Sequence, residues 1–525
     1  MNNVDTISVQ PRDHRLQLRL ILRTCFVLAI VSFIALVLVA MRAYPGNRSV
    51  FLVFVLLYMS MAALATPKPR LYGYTFLAAF LFLGFCAKSV AYLGLGIALV
   101  EPTGRFDGGG AAWDASLLPA IAGAAAVITI RLLHLIAFRR ERYWSSPLGW
   151  PPPAWYVRRR IPVLAASLVG LVVLNGLNFV LALYQIGVTP KLVLPAHLSV
   201  IAEWLFIAGF AMWAATVVGW EAQLRSRHFG PLLLIPFAEA LASVSTLSRS
   251  FYLFRAVSYL LVVAQFPTFF KARLTRRWRV LYLVLVPVGL AAALATVSLL
   301  RVAVYPFDSA QTPAIAPGPT PSPIAAASPT PAEAPTNTRL QLAVHEIGLL
   351  VVGRWIGIEG TMAVSSYPGL GLNTFGRALT ENPSVGEAAF YQRLSGSSYH
   401  TSGRYVFLTT PGAIAILYYS GSLAVVAIGM GLITGLLIAF ELATSRLLRN
   451  ALLVSIVAMT LANAVVQMQF PYLFFVFLVE QVVALLVLGL ISRGIWRDGA
   501  GVHQTAMPAL ELPMAQGSIS DTTGG

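Results

Sequence analysis

Apolar runs long enough to cross a bilayer recur along nearly the whole 525-residue chain, and that recurrence limits what it can fold into. A bilayer core needs about 17–25 apolar residues per helix. On that criterion the sequence predicts twelve spans, near residues 24–41, 49–66, 72–98, 115–137, 161–183, 195–218, 230–247, 251–270, 280–300, 413–442, 451–469 and 472–492. The runs are continuous rather than alternating, so the spans are read as helices and not as barrel strands, the two structures that satisfy the backbone in lipid. With 58% apolar and 11% charged residues, where soluble chains carry about a quarter charged, a water-soluble globule is excluded. The expected fold is all-α: a polytopic integral membrane protein of about twelve transmembrane helices, with a large external loop containing an interfacial or re-entrant helix.

The net charge of +17 fits nucleic acid, anionic lipid or an insertion signal, and its distribution decides among them. With a cytoplasmic N-terminus, 23 basic residues fall on inside segments: Arg12 to Arg23, Lys68 and Arg70, Arg139 to Arg160, Arg225 and Arg227, Lys271 to Arg279, Arg446 and Arg449, Arg493 and Arg497. Eleven fall outside, six of them in one long loop, and Lys88, Arg131 and Arg255 lie within spans. Short loops thus obey the positive-inside rule, predicting both termini in the cytoplasm. Most of the charge is insertion code, and no basic cluster with interleaved aromatics suggests nucleic acid. The arginines before the run Thr24–Met41 fit an anchor better than a cleaved signal, because that run is of spanning length and further spans follow.

These runs divide the chain into a basic cytoplasmic tail (1–23), nine spans (24–300), a linker (301–338), an external functional loop (339–410), three spans (411–493) and a cytoplasmic tail (494–525). Gln311–Pro335, with eight prolines among Ala, Thr and Ser, predicts an extended polyproline-type spacer. Leu340–Val364 is apolar, but it carries His345, Glu346, Arg354 and Glu359. Counting it as a span would turn Arg446, Arg449, Arg493 and Arg497 outward. It is therefore expected to be an amphipathic or re-entrant helix at the outer interface. Tyr367-Pro-Gly and glycines 369, 371 and 376 then predict a loop, followed closely by Glu381, Glu387, Tyr391, Arg393, Tyr399, His400 and Arg404. Long loops dense in such groups tend to be functional.

Lys88, Arg131, Glu203, Glu239, Arg255 and Glu480 lie inside or at the edges of spans, where an ionisable group must pair or line a wet cavity. Lys88, Arg131 and Glu480 are expected to make structural pairs. Arg249, in ASVSTLSRSFYLFR, sits at an external helix end, and with Arg255 it presents guanidinium groups either to an outward cavity or, by snorkelling, to headgroups. Cys25 and Cys86 lie within apolar runs, with neither disulfide nor zinc-type spacing. There is no GxxxxGK[ST] or HExxH pattern, so no metal or cofactor is expected. Gly429, Gly431 and Gly435 are spaced for helix packing.

The serine-rich turn SVSTLSRS (243–250), the late external loop with GRWIGIEGTMAVSSYPG (353–369), and FYQRLSGSSYH and TTPGAIAILYYSGS within 390–422 together resemble bacterial O-antigen and exopolysaccharide repeat-unit polymerases. The proline-rich insert departs from that layout. The resemblance implies transfer of a growing glycan from undecaprenyl diphosphate to another lipid-linked repeat unit, outside the bacterial cytoplasmic membrane, by a metal-independent glycosyltransferase. It implies membrane lipid and lipid-linked glycans as ligands, with a flippase and a chain-length regulator as partners. Arginines suit the diphosphate, because a guanidinium grips phosphate oxygens bidentately and stays charged. Arg249 and Arg354, then Arg255 and Arg377, are the candidates. His400, Glu359 and His345, in that order, are candidates for a general base. An O-antigen ligase shares the layout, and a lipid-linked oligosaccharide flippase shares the span count, although no self-similarity between halves is visible.

Overall fold

The computed structural model describes residues 13–67, 70–97, 99, 101–138, 149–224, 234–248, 250–267, 269, 275–304, 355–397 and 408–493. In chain order its helices are α1 (Asp13–Ala43), α2 (Arg48–Ala63), α3 (Tyr72–Leu95), α4 (Gly110–Ala137), α5 (Ala154–Arg158), α6 (Arg160–Leu181), α7 (196–224), α8 (Leu234–Ser245), α9 (Ser250–Gln265), α10 (Arg276–Val304), α11 (Ile358–Ser365), α12 (Leu372–Thr380), α13 (Phe390–Ser395), α14 (Ala413–Tyr418), α15 (Leu423–Leu448), α16 (Ala451–Val466) and α17 (Pro471–Ser492). Among the described residues there is no strand.

Eight of these helices are long and apolar enough to cross a membrane: α1, α3, α4, α6, α7, α10, α15 and α17. Four shorter apolar helices, α2, α8, α9 and α16, occupy the remaining predicted runs. The run 413–442 is not one helix. α14 ends at Tyr418, Gly421 turns the chain at φ +68°, and Ser422 caps the new helix α15 by accepting from Val425 N.

The bundle is organised around α16. Every residue from Ala451 to Ala462 is buried, so this helix is apolar all round because protein, not lipid, surrounds it. It packs against α3, α9, α7 and α15, while α4 packs against α15 and α2. Gly429 and Gly431 face Leu417 and Ile130, in line with a packing role, whereas a side chain at Gly435 would meet open space. In contrast α1, α6, α10 and α17 expose most of their apolar surface. Cys86 is buried and Cys25 exposed, and both are free thiols.

Hydrogen bonds define two ends. At one, Asp114 of α4 accepts from Tyr44 Oη and Asn47 N, Gly104 N donates to Ser395 O, and Arg105 N donates to Ser366 Oγ. At the other, Trp150 Nε1 donates to Leu447 O, Gln223 Nε2 to Trp150 O, and Arg449 and Arg493 stack over Trp150. Glu441 there accepts from Tyr72 N and Gly73 N, placing a carboxylate at the N-terminus of α3. The first end carries 355–397, and α7 runs from that end to the other.

Of the segment 340–364, residues 340–354 lie outside the described residues. A helix runs over Ile358–Ser365, and Ile358–Val364 is buried against α4 and α14. Gly376, expected in a loop, lies inside α12. The amphipathic register of that helix outweighs the cost of about 1 kcal/mol that a helical glycine carries.

Candidate functional site

α3 widens into a π-helical turn over Phe82–Ala87, and Lys88 follows at once. Such turns are uncommon and concentrate at functional sites. Here the widened turn admits backbone from the distant loop. A Cβ on Gly84 would stand 2.9 Å from the carbonyl carbon of Ile356, and one on Gly357 would stand 2.9 Å from Gly84 Cα, so two bare backbones touch. Lys88, 1% exposed, donates to Trp355 O at 2.8 Å and pairs with Glu359 Oε1 at 2.5 Å. Burial pushes the Glu359 carboxyl above its ordinary range, and the neighbouring ammonium opposes that shift. Ser89 and Tyr92, the latter one turn on from Lys88, keep buried hydroxyls that find no hydrogen-bond partner among the described residues.

A second π-helical turn, Leu205–Gly209, interrupts α7. Arg255 of α9 enters it, donating to Phe206 O at 2.9 Å and Ile207 O at 2.5 Å, while its other terminal nitrogen pairs with Glu239 of α8. The fork geometry of guanidinium lets one side chain serve three acceptors. Trp355 joins the two regions: its ring lies 6.2 Å from both Phe80 and Phe254, the neighbour of Arg255.

Above Arg255 the chain makes the serine-rich turn. Ser248 N donates to Ser243 O and Leu247 N to Val244 O, the bonding pattern of a Schellman cap. Its left-handed position is filled by Leu247 (φ +53°), where glycine is usual, so the turn carries strain. Side chains of α6 hold it there. Ser245 Oγ donates to Asn175 Oδ1 at 2.6 Å, Asn178 Nδ2 donates to Ser245 O at 3.0 Å, and Ile186 N donates to Thr246 O at 2.9 Å. Ser248 Oγ lies 3.2 Å from Ser250 Oγ, and the buried Ser243 Oγ finds no hydrogen-bond partner among the described residues. Helices α6, α7 and α8 form an apolar groove of about 280 Å³ lined by Leu171, Leu174, Leu205, Gly209, Trp213 and Ala238.

On the loop, Phe390 is packed by Tyr367 and Tyr419 at 5.6 and 5.3 Å, and Arg377 sits 5.9 Å above its ring with its charge exposed. Glu381 Oε1 accepts from Phe390 N at 2.6 Å, and Gln392 holds Thr409 through three hydrogen bonds.

Of the sequence-derived candidates, Glu359 is buried on Lys88, Arg255 is buried on Glu239, and Arg377 is exposed. Arg249, Arg354, His345 and His400 lie outside the described residues. Arg131 donates to Leu64 O and Pro67 O, lies 3.0 Å from His134 Nδ1 and packs over the Tyr74 ring. Sequence reasoning missed Glu441, a carboxylate inside an apolar run that carried the same signal as Glu239, and Glu221, three residues beyond the run 195–218, which accepts from Tyr156 Oη and pairs with Arg160. Among the described residues no group of His, Cys, Asp and Glu could hold a metal. Comparison of the chain with protein-family models, curated proteins and solved structures gave no match.

Proposed function

We propose that the chain is a glycosyltransferase that polymerises undecaprenyl-diphosphate-linked repeat units on the outer face of the bacterial cytoplasmic membrane. On this reading the four shorter apolar helices also cross, making twelve spans with both termini in the cytoplasm, and the loop-bearing end faces outward. The observation that carries the proposal is the juxtaposition on α6, α7 and α8: an apolar groove within the span, and a rigid serine-rich turn at its loop-side end. A lipid with a charged head demands that combination, since its tail needs apolar burial and its phosphates need donors at the membrane surface. Arg249 belongs to that turn by sequence, and Arg354 directly precedes Trp355, whose carbonyl Lys88 holds.

In this mechanism Arg249, Arg354 and Arg377 neutralise the leaving diphosphate, and Arg255 fixes the floor beneath the turn. The acceptor sugar hydroxyl loses its proton to His400 or His345. Glu359, buried on Lys88, serves the loop's placement better than proton transfer. The acceptor is a second lipid-linked repeat unit, and a flippase supplies the donor.

Deletion of the gene tests the reading. Single repeat units should accumulate on the lipid carrier or as single caps on the acceptor, and polymer should vanish. Undiminished polymer, or repeats trapped on the cytoplasmic leaflet, would overturn it; repeats that polymerise but never reach a final acceptor would indicate a ligase. Arg249→Ala and Arg354→Ala should each abolish polymer at unchanged protein level, with Lys rescuing poorly.

A further inference from the structure

We infer that α12 is a surface helix bedded in the headgroup layer of the bilayer, beside the first turns of α17. The helix is short, LNTFGRALT, and sharply two-sided. At helical spacing Leu372, Phe375, Gly376 and Leu379 share one side, while Asn373, Thr374, Arg377 and Thr380 share the other. Ala378 is buried and Phe375 half-buried against the protein, but Leu372 is 71% and Leu379 40% exposed. The apolar arc therefore starts on the protein and runs off it.

What covers the rest follows from the neighbour. α12 packs on α17, which is of membrane-spanning length and composition and exposes Tyr472, Leu473, Phe475 and Val479 along one flank. The two exposed leucines extend that apolar flank at its loop-side end, where an amphipathic ring such as Tyr472 favours the interface. The start of α12 is pinned there by Gly371 N donating to Tyr419 O at 2.8 Å. A nine-residue helix has little stability of its own in water. An interface on its open side supplies apolar burial for the leucines and leaves Arg377 among phosphates. The inference does not depend on the glycosyltransferase reading.

The test uses the full chain with Cys25 and Cys86 replaced by Ala, reconstituted in nanodiscs of zwitterionic and anionic phospholipid. A polarity-sensitive fluorophore is attached in turn to Leu372→Cys, Leu379→Cys, Asn373→Cys and Thr380→Cys, with folding checked by size exclusion. At 372 and 379 emission should shift to the blue, shallow spin-labelled lipid should quench it, and iodide quenching should fall several-fold below that at 373 and 380. Equal iodide access at all four sites would overturn the inference. Protection without lipid quenching, accompanied by cross-links between copies, would also overturn it and assign the face to self-association. Radical footprinting of the unlabelled chain reads the same face without a probe: Leu372 and Leu379 should oxidise less in nanodiscs than their exposure predicts, and full oxidation would refute bedding.

Discussion

The two π-helical turns of this bundle solve one problem in two ways. Each sits beside a buried cation, and each cation reaches a carboxylate and backbone carbonyl oxygen. In α7 the partners are near in sequence: Arg255 and Glu239 are 16 residues apart, joined by the serine-rich turn, and the guanidinium also fills the carbonyls of the widened helix. In α3 they are remote: Lys88 and Trp355 are 267 residues apart, and the carboxylate arrives on α11. The local pair fixes a helical hairpin and its turn. The remote pair fixes where a loop enters the bundle. The difference in cation follows, because a fork is needed to serve three acceptors and a point charge suffices for an ammonium wedged between a carbonyl and a carboxylate.

The largest expected effect is on the local pair. Arg255→Ala strands the Glu239 carboxylate and two carbonyls, and removing one partner of a buried pair costs about 3–5 kcal/mol. Thermal unfolding in detergent should show it, and Arg255→Lys should recover only part, since one ammonium cannot reproduce the fork. Full recovery by Lys would erase the distinction drawn between the two sites.

The remote pair should behave differently when both charges are removed. Lys88→Met leaves Glu359 buried without its cation and should cost about 3–5 kcal/mol, while Lys88→Met with Glu359→Met should regain most of that loss. The pH response sharpens the contrast. Burial raises the Glu359 carboxyl in the folded chain, so its protonated form is favoured there and its contribution is greatest below the ordinary carboxylate range. That contribution fades as pH climbs through the raised value. Without the Lys88 charge the carboxyl moves further up, so on acidification Lys88→Met should regain more stability than the parent chain does, and begin to do so at a higher pH. A pH-independent deficit would place the loss in packing instead.

The sequence made much of this legible, for reasons that also mark where it stopped. A bilayer forces apolar runs of fixed length, so eleven of the twelve runs each coincide with one helix and the run 413–442 with two, and the cost of intramembrane charge singles out Lys88, Glu239 and Arg255 without any structure. Partnership was not legible for Lys88, because its carboxylate lies on a loop whose path depends on Gly84 and Gly357 meeting face to face. The break before Ser422 was hidden by apolar residues on both sides. α12 was hidden because nine residues carry little periodic signal and Gly376 reads as a breaker. Asn175 and Asn178 were passed over because amides inside an apolar run draw no attention until their partners in the serine-rich turn are seen.

That turn gives a smaller perturbation of the local site. Ser245→Ala removes the hydroxyl that bonds Asn175 and leaves a buried amide oxygen without its donor, a loss of about 1–3 kcal/mol. If the turn is a preorganised floor for phosphate, polymer should fall more than protein level does, and Ser245→Thr, which restores the hydroxyl, should recover both. Equal falls in polymer and protein would reduce the network to a fold contact.

The smallest effect is expected at an ion pair with no π-helical turn. Arg160 pairs with Glu221 near the end marked by Trp150, but Arg160 is 26% exposed and Tyr156 Oη also donates to the carboxylate at 2.8 Å. Water and the phenol can replace what the guanidinium supplied, so Arg160→Ala should cost about 1 kcal/mol, nearer a surface pair than a buried one. A double-mutant cycle with Tyr156→Phe should show the two donors substituting for each other, each deletion costing more once the other is gone. A cost for Arg160→Ala as large as that for Arg255→Ala would mean that burial of the carboxylate sets the energetics, and that the widened helices add nothing to the pairs beside them.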